Sequence, residues 1–301
     1  MRWLALQLVL VAALVTIAAD LAAHKRVEQV AGVNIWGYRG PVVHQRQPNE
    51  LRVVFVGGTR AFGWGEAASS TTVAAVRFEL TRVLDRPNRP LQPIVAINLG
   101  QLGASPESYV STLQHFAYLQ PDYIGIFDDL GDPGPNRPLE VSGVFTLTGY
   151  RPILPLVLEE KGAVTRARIL GVPLEYAGRG FAAVDRVFAR AAGARETDAT
   201  PLGTSEYASA MLRTIDAAHA QARGVVVVLG PIDTDRQRRN ADALDSRLAR
   251  GRRPWLRIVN LSDEPELYDP SLRLDGFSFG ANATAIAAQA IAPAFLQLVS
   301  S

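Results

Sequence analysis

The chain has 301 residues, 48% hydrophobic and 20% charged, which is enough apolar material for a sizeable core and too much for a mostly disordered chain. A formal net charge of +2 argues against a nucleic-acid binder, and the absence of cysteine removes disulfides, thiolate metal sites and a cysteine nucleophile together. The length suits two domains, or one large α/β domain preceded by an anchor.

The basic residues are nearly all arginine, Lys25 and Lys161 being the lysines, and this sets the pI of about 9.0. An uncharged run extends from Trp3 to Ala19, followed by Asp20, three apolar residues and His24-Lys25-Arg26. At a rise of 1.5 Å per residue the run spans about 25 Å, and continuing to Ala23 brings it to the ~30 Å hydrocarbon thickness. Residues 1–26 therefore read as a signal anchor or a cleaved signal peptide. The length favours the anchor, and either reading goes with an expected extracytoplasmic location, membrane-anchored or secreted. Charge on the two flanks does not settle the orientation.

Residues 27–50 form a polar connector with several glycines and prolines. From Leu51, short apolar runs ending in Gly, Asn or Asp alternate with helical stretches. The strands are Leu51 to Val56, Pro93 to Ile97, Tyr123 to Phe127, Gly224 to Leu229 and Leu256 to Leu261. The helices are Thr72 to Leu84, Pro106 to Tyr118, Ser205 to Ala222 and Asn282 to Val299, with proline suited to the first turn of the second. Uninterrupted β-branched strands alternating with helices describe a parallel sheet covered on both faces. The expected fold class is α/β, a three-layer α/β/α sandwich with a doubly wound five-stranded sheet. Its ligand crevice lies at the carboxyl ends of the strands. An insertion over about 133–204 breaks the rhythm and contains Tyr150-Arg151-Pro152-Ile153-Leu154-Pro155-Leu156-Val157-Leu158, whose prolines forbid one continuous helix. The 150–158 patch reads as a cap, a membrane or partner surface, or an ordinary buried insertion. The arginines from Arg236 to Arg253 read as a solvated helix face.

The strand tips, taken together, resemble the SGNH (GDSL-type) hydrolase superfamily over about residues 33–296. The likeness is closest to envelope-associated members opening with a segment such as Gly37-Tyr38-Arg39-Gly40-Pro41. The resemblance implies a flavodoxin-like sandwich for residues 51–301 and a nucleophile after strand one, in Gly57-Gly58-Thr59-Arg60-Ala61-Phe62-Gly63, where Thr59 takes the serine's place. It implies an oxyanion hole from the position-59 amide, Gly103 and an asparagine whose place is taken by Gly131. The last block, Asp275-Gly276-Phe277-Ser278, keeps the triad acid position at Asp275 but has Ser278 where the histidine belongs.

These departures have chemical weight. Histidine serves as base because its pKa lies near the working pH, and a serine at 278 cannot replace it. Asp275 is left without the imidazole it would orient. Thr59 keeps a hydroxyl but adds a methyl that restricts χ1, and Gly131 offers only a backbone amide. Removing a triad serine or histidine costs about 10⁶-fold in kcat. One oxyanion donor is worth ~10²–10³-fold. The expectation is a catalytically impaired protein that binds a glycan or partner in envelope polysaccharide handling. The competing readings are an active ester hydrolase with a Thr59 nucleophile acting on acylated carbohydrate or lipid, and a membrane-tethered scaffold docking a protein partner through 150–158. Of the four histidines, His24, His115 and His219 read as packing or surface residues, and the loop of His44 is the one to test as a substitute base. No cofactor, metal or nucleic acid is expected. Asp128, Asp129 and Asp132, with Asp275, are conceivable hard-cation ligands, but read better as solvated or capping aspartates.

Overall fold

The computed structural model describes residues 2–27, 33–85, 92–101, 103–131, 202–251, 253–274 and 278–300, with Leu154, Gly162 and Ile169 as single residues. Five parallel strands, β1 (Leu51–Gly57), β2 (Ile94–Asn98), β3 (Tyr123–Asp128), β4 (Gly224–Leu229) and β5 (Leu256–Asn260), form one sheet in the order β2-β1-β3-β4-β5. This is the doubly wound order whose direction of growth reverses at β1 and β3. Residues following those two strands therefore border the crevice.

Alternation along each strand divides the interior. Val54, Val56, Ile124, Ile126, Val225 and Val227 face one helical layer, while Val53, Phe55, Tyr123, Phe127, Val226 and Val228 face the other. The first layer is α4 (Pro106–His115), α5 (Thr204–His219) and α6 (Asp235–Leu248); the second is α3 (Thr72–Leu84) and α7 (Ala281–Ser300). Local signals set the helix ends. Thr71 caps α3 through its hydroxyl, and Thr234 and Gln237 form a reciprocal capping box at α6. The helix expected to run to Tyr118 stops at His115 and continues as a 3-10 turn over Ala117–Leu119. Phe116 and Leu119 are drawn into the core there, and Gln120 takes a left-handed φ of 51°. Arg238 and Arg239 are exposed on α6, whereas Arg247 reaches back to Ser205 and Ser209 of α5.

Residues 33–50 pack on the sheet. Arg39 bridges to Asn98 at the end of β2, and Val33, Asn34, Tyr38 and Arg39 are buried. Glycine permits this, because Gly37 and Gly40 hold φ values of 85° and 97°. The Arg39 guanidinium lies 4.3 Å over the Phe62 ring and donates to the Gly63 and Glu66 carbonyls.

The amino-terminal helix α1 (Arg2–Val27) is apolar along almost its whole length and exposed over most of it; Trp3–Arg26 is long and apolar enough to cross a membrane. Its polar residues Asp20 and His24 are buried, with His24 Nε2 3.4 Å from Asp20 Oδ2, and Asp20 Oδ1 accepts the Leu154 amide at 2.7 Å. Helix α7 also has the length and hydropathy of a membrane span, but half of it is buried against the sheet and α3. Apart from Leu154, Gly162, Ile169 and residues 202–204, the insertion expected over about 133–204, with the rest of the 150–158 patch, lies outside the described residues.

Candidate active site

The turn after β1 is built from three close approaches that no side chain would allow. A Cβ on Gly57 would lie 2.1 Å from the Phe127 carbonyl oxygen, one on Gly58 would lie 2.6 Å from Asp129 Oδ2, and one on Gly100 would lie 2.4 Å from the Phe62 amide. The chain can therefore fold into α2 (Thr59–Phe62), a single helical turn wedged between the tips of β2 and β3 and closed by Gly63 at φ 76°. Asn98, the last residue of β2, fixes this turn to the next loop. Its Nδ2 donates to the Ala61 carbonyl at 2.7 Å and its Oδ1 accepts the Gly100 amide at 2.9 Å.

Thr59 is the first residue of α2, and its Oγ1 accepts a hydrogen bond from the Gly103 amide at 3.1 Å. Two of the sequence-derived site positions are thus brought together. Gly131 follows β3 at φ 75°, where a Cβ would meet Asn240 Nδ2 of α6 at 2.8 Å. That amide occupies the space an asparagine at 131 would need, and it donates to the Leu130 carbonyl at 3.0 Å. Gln237 donates to the Asp129 carbonyl at 3.2 Å, so two side chains of α6 hold the loop after β3. Ser278 is buried, and its carbonyl accepts the Leu274 amide at 2.9 Å. Asp275 lies outside the described residues.

Arg60, next to Thr59, points inward with 1% of its surface exposed. Its Nη2 lies 3.0 Å from Asp233 Oδ2 and its Nη1 3.6 Å from Asp129 Oδ1, and its backbone amide reaches Asp129 Oδ2 at 3.3 Å. Arg273 joins from the far side, with Nη2 3.0 Å from Asp233 Oδ1. The Phe279 ring lies 5.5 Å from the Arg60 guanidinium carbon, and Gly230 leaves room for it: a Cβ there would be 2.6 Å from Nη1. The strand tips thus carry an Asp129–Arg60–Asp233–Arg273 chain. A buried guanidinium is tolerated only with such pairing.

Asp128 and Asp129 are not solvated aspartates. Asp128 is buried and accepts from Tyr207 Oη at 2.6 Å, Tyr109 Oη at 2.9 Å and the Leu130 amide at 2.8 Å. Burial raises its pKa above the ordinary value, opposed by these donors and the Gly131 amide. Burial and the adjoining Asp128 charge push both tyrosine hydroxyls well up. Among the described residues, no group of three or more His, Cys, Asp or Glu side chains could hold a metal ion, and Asp132 and Asp275 lie outside them.

All four histidines are accounted for. His115 packs edge-on against Phe116, His219 stacks on Trp255 at 3.7 Å, and His24 lies beside Asp20 on α1. His44 does not reach the crevice. Its carbonyl accepts from Arg52, which also binds Glu50 and the Leu119 carbonyl at the amino-terminal end of β1. That is the opposite end of the strand from Thr59. Among the described residues, the partner of the Thr59 hydroxyl is the Gly103 amide.

No family model matches the chain, and no curated protein matches it. Solved structures similar to it include a family two carbohydrate esterase from Clostridium thermocellum in complex with cellohexaose, at 9% identity and a TM-score of 0.48, covering 86% of this chain and 68% of that one. An acetylxylan esterase from Geobacillus stearothermophilus is similar at 14% identity and a TM-score of 0.44, covering 85% and 96%. A GDSL-like lipase from Bacteroides thetaiotaomicron shows 11% identity and a TM-score of 0.45, covering 85% and 92%.

Several residues of the site escape a reading by block. Asp233, Arg273, Asn240, Tyr109 and Tyr207 reach the strand ends from distant segments. Arg60 carried a usable signal. A charged residue directly after a buried strand, inside a glycine-rich turn, must either face solvent or find a carboxylate.

Proposed function

We propose that the chain is an SGNH-type hydrolase scaffold, tethered by α1 and catalytically impaired, that binds a glycan or acylated saccharide, or a partner, in cell-envelope polysaccharide handling. The observation that carries this reading is the buried Arg60 between Asp129 and Asp233, beside a Thr59 hydroxyl whose partner among the described residues is a backbone amide. Attack by a hydroxyl requires a group to take its proton. An amide N–H only donates, and a guanidinium, always charged and without an acceptor, cannot take a proton. The crevice retains what binding needs. Its glycine-lined turns keep their shape, and the Gly103 amide lies at the Thr59 hydroxyl, beside the place an acyl group would occupy in the SGNH reading. The envelope role rests on the resemblance of the opening and strand-tip blocks, together with the apolar α1.

Acetyl-ester hydrolysis by the full chain in detergent tests the proposal. The expected rate equals that of Thr59→Ala, because the loss of a triad base costs about 10⁶-fold. Turnover that vanishes in Thr59→Ala would overturn it and favour the threonine-nucleophile hydrolase. A revived variant combining Thr59→Ser, Gly131→Asn and Ser278→His also needs Asn240→Ala, since the Asn240 amide fills the space at position 131.

A further inference from the structure

Away from the crevice, two aromatic side chains stand together on the surface. Trp36 is 41% exposed and Tyr118 is 54% exposed, with ring centroids 6.3 Å apart and planes tilted by 52°. Both are held rigidly. The Trp36 amide donates to Asn34 Oδ1 at 2.9 Å, while buried Asn34 also donates to the Gly40 carbonyl and closes the turn with Gly37 and Tyr38. Tyr118 is the middle of the 3-10 turn Ala117–Leu119, between buried Phe116 and Leu119, and Arg46 ties the next residue, Gln120, to the segment carrying Trp36. Tyr118 also touches the buried Phe116 ring, but about half of each aromatic surface faces outward.

We propose that this face rests on the headgroup layer of the membrane that α1 crosses, an inference that depends on α1 remaining as an anchor. The tether supports it. Eight residues separate Val27, the end of α1, from Trp36, a reach of at most about 30 Å fully extended. Trp36 therefore stays within about 30 Å of the end of α1, close enough for its ring to reach the headgroup layer. Chemistry supports it as well. Tryptophan and tyrosine have an apolar body and a polar tip and concentrate at membrane–water interfaces. Residues 33–49 and 111–121 contain no Asp or Glu, the carboxylates that follow them, Glu50 and Asp122, are buried and paired with Arg52 and Arg46, and His24-Lys25-Arg26 closes the adjoining helix.

The chain has no cysteine, so one introduced thiol is a unique label position. Ala117, exposed beside the pair, is changed to Cys in the full chain, coupled to an environment-sensitive fluorophore and reconstituted into phosphatidylcholine–phosphatidylglycerol vesicles. Arg250→Cys, exposed beyond α6, is the comparison. The expected result is severalfold stronger quenching at 117 than at 250 by a lipid spin-labelled near its headgroup, with Trp36→Ser/Tyr118→Ser bringing 117 down to the level of 250. Flotation with the vesicles is scored separately. A chain that floats with equal quenching at both positions overturns this inference alone, while one that does not float overturns the anchor reading and this inference with it. A response at 117 to an acetylated oligosaccharide in detergent, without lipid quenching in vesicles, would make the pair a sugar platform and overturn the membrane contact.

Discussion

Replacing Arg60 by methionine tests whether the ion chain at the strand ends is organised as described. Methionine keeps much of the aliphatic volume and removes the charge. At an effective dielectric constant of about 20, the 3.6 Å approach to Asp129 corresponds to about 4.6 kcal/mol of attraction before desolvation is counted. The two carboxylates do not respond equally. Asp233 is partly exposed and keeps Arg273, whereas Asp129 is buried and loses its neighbouring cation. Leaving one such charge uncompensated costs about 3–5 kcal/mol. For a domain of this size that lowers Tm by roughly 6–20 °C, at about 2–4 °C per kcal/mol. The assay is thermal and denaturant unfolding of the full chain in detergent micelles. Adding Asp129→Asn, which keeps an acceptor for the position-60 amide, should recover at least half of the loss. Arg82→Ala, in an exposed pair with Glu79 one helical turn away, should change stability by no more than about 0.5 kcal/mol. A loss below about 1 kcal/mol for Arg60→Met, or a double variant no more stable than the single one, would refute the network.

Two further outcomes follow from local geometry. Gly100→Ala places a methyl 2.4 Å from the Phe62 amide and should cost about 1–3 kcal/mol or more, while Gly251→Ala, with nothing within 4 Å, should be neutral or stabilise by up to about 1 kcal/mol; equilibrium unfolding compares them. Asp128 has its folded pKa raised, so its contribution to stability is fully present below the ordinary value of 3.8 and is lost as pH rises from there through the folded value. Asp128→Asn should remove that component, making stability climb more steeply with pH just above 3.8 than in the parent, at the expense of about 1–3 kcal/mol near neutrality, because the single Asn oxygen cannot accept from the Leu130 amide and both tyrosine hydroxyls. Parallel pH dependences in the two proteins would count against the Asp128 assignment.

Much of the frame was legible in the residues themselves. The Val225 to Val228 run and its counterparts could belong only to strands covered on both faces, and strand β4 and helix α3 have the expected bounds. Thr59 and Gly103 meet because the glycines that mark their blocks are the ones that let the backbones approach. Other features depend on partners remote in sequence. Nothing near Asp128 announces two tyrosines on α4 and α5, and nothing near Gly131 announces that an α6 asparagine fills the space beside it. Residues 27–50 read as a connector because they are polar and rich in turns. Of these, 33–50 are described, and they pack on the sheet because Asn34 and Arg39 satisfy backbone carbonyls that glycines leave accessible.

Helix α7 gives the chain a competition that its amino-acid pattern alone does not resolve. The stretch Ala281–Ser300 is greasy enough to dissolve in lipid, yet in the folded state it supplies the wall against which Phe55, Phe127 and Val226 lie. Sheet and bilayer are rival solvents for the same side chains. A charge at Ala287 or Ile291, both buried in that wall, would disrupt it and lower the hydropathy of the segment at the same time. The sheet's claim on α7 therefore keeps a segment with the hydropathy of a membrane span inside the fold.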